Sequence, residues 1–420
     1  MAELSSKRDT EASQTAAATR VPVRLAYFIS HPIQYQVPLI RRIAQEPDIA
    51  MTVYYFSDIS TRGYHDKGFG VTVQWDIPLL DGYKYEFLPT FRDRGSLSFA
   101  DPIVYGIYSR LRRGRFQAVW LHGYNTLNCL HVLFAARLLG IPVLIRTDSS
   151  LSDRIRSKTT LMAKNLFFSI IGNSIHGVLS VGQANTDYWK HHLGADIPVF
   201  PMPYAVDNQL FRAKALEATP DREALRQELN LEPGRPVILF ASKLQGRKRC
   251  IDLVEAYIRL SPSPGIDPYA YLLIVGDGEE RTNVENRIRE SGLDSIRMLG
   301  FRNQSELPRF FDLCDLFVLP SIHEPYGLVV NEVMNAARPI VVSDQVGCQA
   351  DLVQNGVNGF VYPALHVEAL AEKLAFLLTN EPLRKSMGEN SLRLIQKFSF
   401  EQDVLGLRQA LAFTVPGFRV

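Results

Sequence analysis

The chain has 420 residues, 46% of them apolar and 21% charged, which excludes a wholly disordered or collagen-like polymer and leaves room for two or three folded domains. Its 46 Lys and Arg against 44 Asp and Glu leave a formal charge of +2, so no global field draws in nucleic acid, and no nucleic-acid partner is expected. Any electrostatic site has to be local.

Residues 1–20 are rich in Ala, Ser, Thr and charge and lack an apolar segment, which predicts a disordered tail rather than a secretory signal or a strand. From Val21 onward, short β-branched runs alternate with longer segments of helical period, the pattern of βα units around a parallel sheet. Strands are predicted at 23–30, 50–56, 117–121, 142–146, 176–180 and 198–200. Residues 202–220 carry Pro203, Asp207, Asn208 and Pro220 without a core strand, which places an inter-domain connection and a hinge there. The pattern then restarts, with strands predicted at 236–241, 269–275, 295–299, 315–320, 339–343 and 359–362 and helices at 366–378, 382–397 and 400–413. The expected fold class is α/β, two doubly wound Rossmann-like domains facing a cleft: 21–203, a connection at 204–220, 221–398, and a C-terminal helix at 399–420 that returns to the first domain. In such sheets ligands bind beyond the carboxyl ends of the strands, so chemistry is expected in the loops that follow strands.

Cys129, Cys250, Cys314 and Cys348 are far apart and form no CxxC pair, which argues against a zinc ribbon or redox dithiol and for reduced core thiols. The most apolar long stretch, 166–181, holds Asn173, Ser174 and His176 and falls short of the ~20 apolar residues of a membrane span. A cytoplasmic protein is expected, with any membrane contact peripheral on the inner face.

Three loops are informative. The strand 315–320 runs into Ser321, Ile322, His323, Glu324, Pro325, Tyr326 and Gly327, then a helix carrying Glu332. Eight positions separate the two glutamates, so they are not a one-face helical pair and would grip different parts of an elongated ligand; Gly327 would let backbone NH groups approach it closely. After the strand 236–241 come Lys243, Arg247, Lys248 and Arg249, either a solvated surface or, at the C-terminal edge of a first strand, cations able to neutralise a diphosphate. The third loop, Gly276, Asp277, Gly278, Glu279, Glu280, Arg281, begins like a dinucleotide fingerprint but has Arg281 where the third glycine belongs. A nicotinamide enzyme loses support there, and again at the end of the first strand, where Ser30, His31, Pro32, Ile33, Gln34 and Tyr35 include no glycine.

In order and spacing, the segments ASKLQGRKR, VGDGEER, MLGF, DLFVLPSIHEPYGLVVNEVMNAARPIVVSD and NGVNGFVYP, spread over most of 236–363, resemble the donor-binding domain of the family 4 retaining glycosyltransferases of GT-B fold, the glycosyltransferase group 1 type. The first half is compatible through VWLHGYN and PYAVDNQLF but lacks the family's glycine-rich loop after strand one. The resemblance implies an acceptor-side domain at 21–203 and a nucleotide-sugar-binding domain at 221–398. It implies that Glu324 meets donor-sugar hydroxyls, Glu332 the ribose, and Lys243 and Lys248 the diphosphate, with Lys243 standing where the family has Arg. Phe301 and Arg302 fall at the nucleobase, Gly276, Tyr326, Gly327 and Leu328 complete the donor side, and His122 falls near the reacting sugar. Glu324, Lys248 and His122 are thus the expected catalytic set. The carry-over stops at His31, Gln34 and Tyr35, which face either acceptor or phosphate or simply cap and pack.

The implied activity is hexosyl transfer with retention from a nucleotide sugar, a co-substrate rather than a cofactor, to a glycan, lipid-linked or small-molecule acceptor. No metal is expected, because no two aspartates are separated by a single residue. A nucleotide-sugar-binding protein without turnover, or an epimerase or phosphorylase of the same fold, are the alternatives. The basic stretch Arg110, Arg112, Arg113 and Arg115 beside Leu111 and Phe116, with Lys158 and Lys164 further on, reads either as a solvated surface or as a contact with an anionic membrane.

Overall fold

A computed structural model describes residues 21–62, 64–66, 71–73, 77–151, 158–263 and 268–420; the tail expected at 1–20 lies outside them. The first half runs β1 (Val23–Ile29), α1 (Val37–Ala44), β2 (Ile49–Tyr55), β3 (Tyr64–Asp66), β4 (Val71–Val73), β5 (Tyr85–Phe87), β6 (Thr90–Arg92), β7 (Ile103–Val104), α2 (Ile107–Gly114), β8 (Ala118–His122), α3 (Leu127–Leu139), β9 (Val143–Arg146), α4 (Lys158–Ile171), β10 (Gly177–Ser180), α5 (Gln183–Leu193) and β11 (Val199–Pro201). Seven of these strands form a parallel sheet in the order β11-β10-β9-β8-β1-β2-β5, and β3–β4 and β6–β7 are small antiparallel pairs beside it.

The second half runs α6 (Asn208–Ala218), α7 (Arg222–Glu228), β12 (Val237–Ala241), α8 (Cys250–Ile258), β13 (Tyr271–Val275), α9 (Arg281–Ser291), β14 (Ile296–Gly300), α10 (Leu307–Leu313), β15 (Leu316–Leu319), α11 (Val329–Met334), β16 (Ile340–Ser343), α12 (Gln349–Leu352), β17 (Gly359–Tyr362), α13 (Val367–Leu378), α14 (Glu381–Ile395) and α15 (Phe400–Thr414). Its six strands are parallel in the order β14-β13-β12-β15-β16-β17.

Every strand read from β-branched runs has its counterpart. Tyr85–Phe87 and the two hairpins do not register in the sequence pattern, because strands of two or three residues are too short to show a period. The central strands are apolar throughout because both sheet faces are covered: all five residues of β12 and of β13 are buried. In the first sheet the two faces separate by parity. Ala26, Phe28, Val119, Leu121, Val143 and Ile145 pack with α2, α3, α4 and α5, whereas Leu25, Tyr27, Trp120 and Leu144 pack with α1 and α15.

The order reverses beside β1 in one sheet and beside β12 in the other, and each reversal opens a crevice at the carboxyl strand ends. Of the stretch 202–220, only 202–207 is irregular chain. Asp207 caps α6 by accepting a hydrogen bond from the Leu210 amide at 2.8 Å, and Phe211 and Ala215 join the core of the second half. At the far end, α15 crosses back, burying Phe400, Val404, Leu407 and Leu411 against the first sheet.

A buried cluster ties these pieces together. Arg146, at the end of β9, donates from Nη2 to the carbonyls of Met202 and Pro203, both at 2.9 Å, and lies 3.3 Å from Asp403 of α15. Both side chains are fully buried, and burial lifts the Asp403 carboxyl to about 8 even with the guanidinium alongside. The four cysteines are buried and unbridged. Among the described residues no helix is long and apolar enough to cross a membrane.

Candidate functional site

A cleft of ≈ 390 Å³ opens where the two crevices face each other. Its walls bring together Lys243, Lys248, Gly276, Phe301, Arg302, Glu324, Tyr326, Gly327, Leu328 and Glu332 from the second half and Gln34 and Tyr35 from the first.

The geometry of the second wall rests on glycines at close approaches. Gly276 has φ +141°, and a Cβ there would sit 1.9 Å from the Ser242 carbonyl oxygen, so the loops after β12 and β13 meet only because this side chain is absent. Gly327 has φ +101°, and a Cβ would press on Val346 at 3.1 Å, which fixes the tight turn between Glu324 and α11. The Glu324 segment is strapped to the loop after β16: the Gly347 amide donates to the Glu324 carbonyl at 2.8 Å and the Cys348 amide to that of Tyr326 at 2.9 Å. Arg247 holds the cationic loop in register by donating to the His323 carbonyl at 2.9 Å.

Lys248 and Glu324 form an ion pair, 8% and 11% exposed, so two groups from separate strand ends face one another across the cleft floor. Burial, with Arg247 and then Lys243 adding like charge, draws the Lys248 ammonium down to about 7, and its carboxylate partner pulls the other way. Glu332, in the first turn of α11, is buried and lifted to about 8 by desolvation, against a weak 3.5 Å contact from Gln304. Two further polar atoms, Gln34 Oε1 and Arg302 Nε, are buried without a hydrogen-bond partner among the described residues. Such atoms are costly unless a ligand or water completes them.

The Tyr326 side chain lines the cleft, but its hydroxyl leaves it, donating to the Tyr204 carbonyl at 3.1 Å; Asn331 donates to the same oxygen at 3.0 Å. Both contacts join the halves. His122 and His31 are not cleft residues. His122 lines an adjoining cavity of ≈ 220 Å³ with Asp148, which also lines the cleft. Its Nδ1 lies 3.2 Å from Tyr27 Oη and its Nε2 3.4 Å from Tyr204 Oη. Burial, then Arg146 and His31, hold the imidazole down at about 3, so it offers hydrogen bonds and not charge. His31 lies 2.9 Å from Ser30 Oγ and is kept neutral by burial, at about 4.

Arg247, Asp148 and Tyr204 also line the cleft and were not singled out from sequence. Arg247 was one cation among four, Asp148 follows β9 in an unremarkable polar run, and Tyr204 sits in the linking segment. A larger hollow of ≈ 480 Å³ behind the connection is lined by Arg42 and Glu401, 3.5 Å apart, and Arg42 also lies 2.7 Å from Glu46. Among the described residues no group of three or more His, Cys, Asp or Glu side chains is arranged to hold a metal ion.

Residues 221–393 match the family described as glycosyl transferases group 1. An uncharacterized glycosyltransferase of Methanocaldococcus jannaschii is 34% identical over 32% of this chain and 38% of its own length. The alpha-D-kanosaminyltransferase of Streptomyces kanamyceticus is 33% identical over 41% of this chain and 45% of its own. The chain thus spans less than half the length of these curated relatives. Among solved structures, Anabaena HepE in complex with UDP superposes with a TM-score of 0.70 at 19% identity, covering 93% of this chain and 100% of that one. A Rickettsia africae glycosyltransferase gives 0.69 at 15% identity, covering 93% and 98%. At such identities the likeness shows the fold, and the fold is GT-B: two Rossmann-like domains facing a cleft.

Proposed function

We propose that the chain is a nucleotide-sugar-dependent glycosyltransferase that acts with retention of anomeric configuration and without a metal. The observation that carries the reading is the convergence of Lys243, Lys248, Glu324 and Glu332, from the ends of two different strands and the helix behind one of them, on a single cleft. The matched region 221–393 holds all four, and relatives of that region are named glycosyltransferases.

The donor enters by exchanging partners. Lys248 is paired with Glu324 across the cleft floor; a sugar diphosphate laid between them gives the ammonium a phosphate oxygen and frees the carboxylate for sugar hydroxyls. Glu332, a turn deeper, takes the ribose hydroxyls, and Phe301 and Arg302 border the base. The bond from the anomeric carbon to the β-phosphate oxygen breaks while the acceptor oxygen bonds to the same face of that carbon, and the acceptor proton passes to the departing phosphate. What this needs is stabilisation of charge on the diphosphate, which Lys243, Lys248 and the amides of the Gly327–Leu328 turn supply in a shielded site. His122, neutral and behind the cleft, acts through the Tyr27 and Tyr204 hydroxyls that engage its two ring nitrogens, and Asp148 lines both its cavity and the cleft.

The test is to incubate the protein with a panel of nucleotide sugars and acceptors in excess EDTA and read the anomer of the product by NMR. Turnover with an α-linked product from an α-linked donor is expected. An inverted product removes retention, rescue only by Mg or Mn removes the metal-free step, and donor binding without any hydrolysis or transfer leaves the binding protein as the reading.

A further inference from the structure

A second surface lies on the outside of the first half. The helices α2, α3 and α4 all precede or follow neighbouring strands of one sheet and share one face of it, with Ile107 and Leu111 of α2, Val132 and Leu133 of α3 and Phe168 and Ile171 of α4 in the same core cluster. Their inward stripes account for that core. Their outward stripes are also apolar. On α4, Met162, Leu166 and Ile170 follow one another at a spacing of four and are 72%, 63% and 65% exposed. On α3, Leu127, Phe134 and Leu138 point outward, the last two 62% and 61% exposed. Isolated exposed apolar side chains are ordinary, but two adjacent helical stripes are not.

The charge on these helices is one-sided. None of the 8, 13 and 14 residues of α2, α3 and α4 is Asp or Glu. Arg112, Arg113 and Arg115 stand exposed at the far end of α2, and Arg137 stands exposed beside Leu138 on α3. Arg110 is paired with Glu86, which neutralises it, so it does not belong to this rim. An apolar strip on helices that carry cations and no carboxylate complements an anionic lipid surface: the strip enters the acyl boundary and the arginines meet headgroup phosphates.

We propose that the outer face of α3 and α4, with the Arg112, Arg113 and Arg115 rim, docks the protein on an anionic bilayer. The proposal does not depend on the donor site. It takes the second of the two readings of the basic stretch, a contact surface, with its apolar half supplied by the exposed side chains of α3 and α4.

The experiment uses the full chain and sedimentation with vesicles of phosphatidylcholine alone or with one-third phosphatidylglycerol. Binding to the anionic vesicles, weakened by salt, is expected, with little binding to the neutral ones. Leu166→Glu with Ile170→Glu should abolish it, and Arg112→Ala with Arg113→Ala should weaken partitioning by about 30-fold, two surface cations' worth. Melting temperature and the shift produced by a nucleoside diphosphate check that each variant is folded; the arginine pair keeps the test open should the glutamate pair misfold. Equal binding to both vesicle types, no binding to either, or parent-like binding by both variants overturns the proposal. So does a lipid-free dimer in sedimentation velocity that the glutamate pair dissociates, which would assign the face to a second copy of the chain.

Discussion

On the second-half side of the cleft the ligand-facing groups are charged and stand within a few residues of strand ends: Lys243 and Lys248 after β12, Glu324 after β15, Glu332 one turn into the helix that follows. On the first-half side they are Gln34, Tyr35, Asp148 and Tyr204, drawn from two loops and the linking segment, with His122 a layer behind. The second-half wall can be read as local chemistry, because the diphosphate proposed for it demands cations and close backbone approach wherever it binds. The first-half wall is a matter of packing, since an aromatic hydroxyl acquires its role only from what other segments place around it. Tyr204 is the example: its ring lies 4.9 Å from the Arg146 guanidinium and 5.1 Å from the Tyr326 ring, across 122 residues of chain.

The comparison is tested most severely at Arg146. If the first wall is a packed unit, Arg146→Met should cost about 3–5 kcal/mol, because it strands a buried carboxyl and two carbonyls. Denaturant unfolding reads this directly, and a variant as stable as the parent would mean the cluster is not what holds the linker and α15 in place.

Next comes Lys248→Ala, expected to lower kcat by about 100-fold in a protein that still folds. Unchanged turnover would return the cationic loop to ordinary solvated surface and take the local reading of the second wall with it.

A smaller effect separates the two glutamates. Free nucleoside diphosphate should lose about tenfold in affinity with Glu332→Ala and almost nothing with Glu324→Ala, since the proposed roles put only the first on the ribose. Calorimetric titration yielding equal losses would dissolve that division of roles.

The finest test is protonic. Lys248, drawn down to about 7 chiefly by burial, must be charged to hold phosphate, so affinity falls as pH rises above about 7. Glu332, near 8, serves hydroxyls best as a carboxylate, so affinity falls as pH drops below about 8. Diphosphate affinity should therefore pass through a maximum between these values. Glu332→Gln should flatten its acid limb and Lys248→Met its alkaline one; a pH-independent affinity in the parent would contradict both assignments.

Much of the architecture was legible because parallel strands covered on both faces are continuous apolar runs, as Val237–Ala241 and Leu316–Leu319 are. That Lys243, Lys248, Glu324 and Glu332 share one cleft was legible from their place in loops and a helix beyond strand ends and from the family resemblance. What was not legible were contacts across long stretches of chain: Arg247 bracing the Glu324 loop, Tyr326 spending its hydroxyl on Tyr204, and His122 enclosed with both ring nitrogens engaged. Nor does helical period distinguish inward from outward apolar stripes when a helix carries both, as α4 does.

The return of α15 has a mechanical consequence. The second half is in effect an insertion, entered through 202–207 and left through 396–399, and these two crossings are pinned side by side: Asn208 Nδ2 donates to the carbonyls of Ile395 at 3.1 Å and Phe398 at 3.0 Å. A body held by one strand can twist and swing in any direction, whereas a body held by two adjacent strands keeps essentially one degree of freedom, rotation about the line through both, as a door turns on two pins. Any opening or closing of the cleft is thereby restricted to a path that brings the Lys248 wall and the Tyr35 wall together in the same register each time.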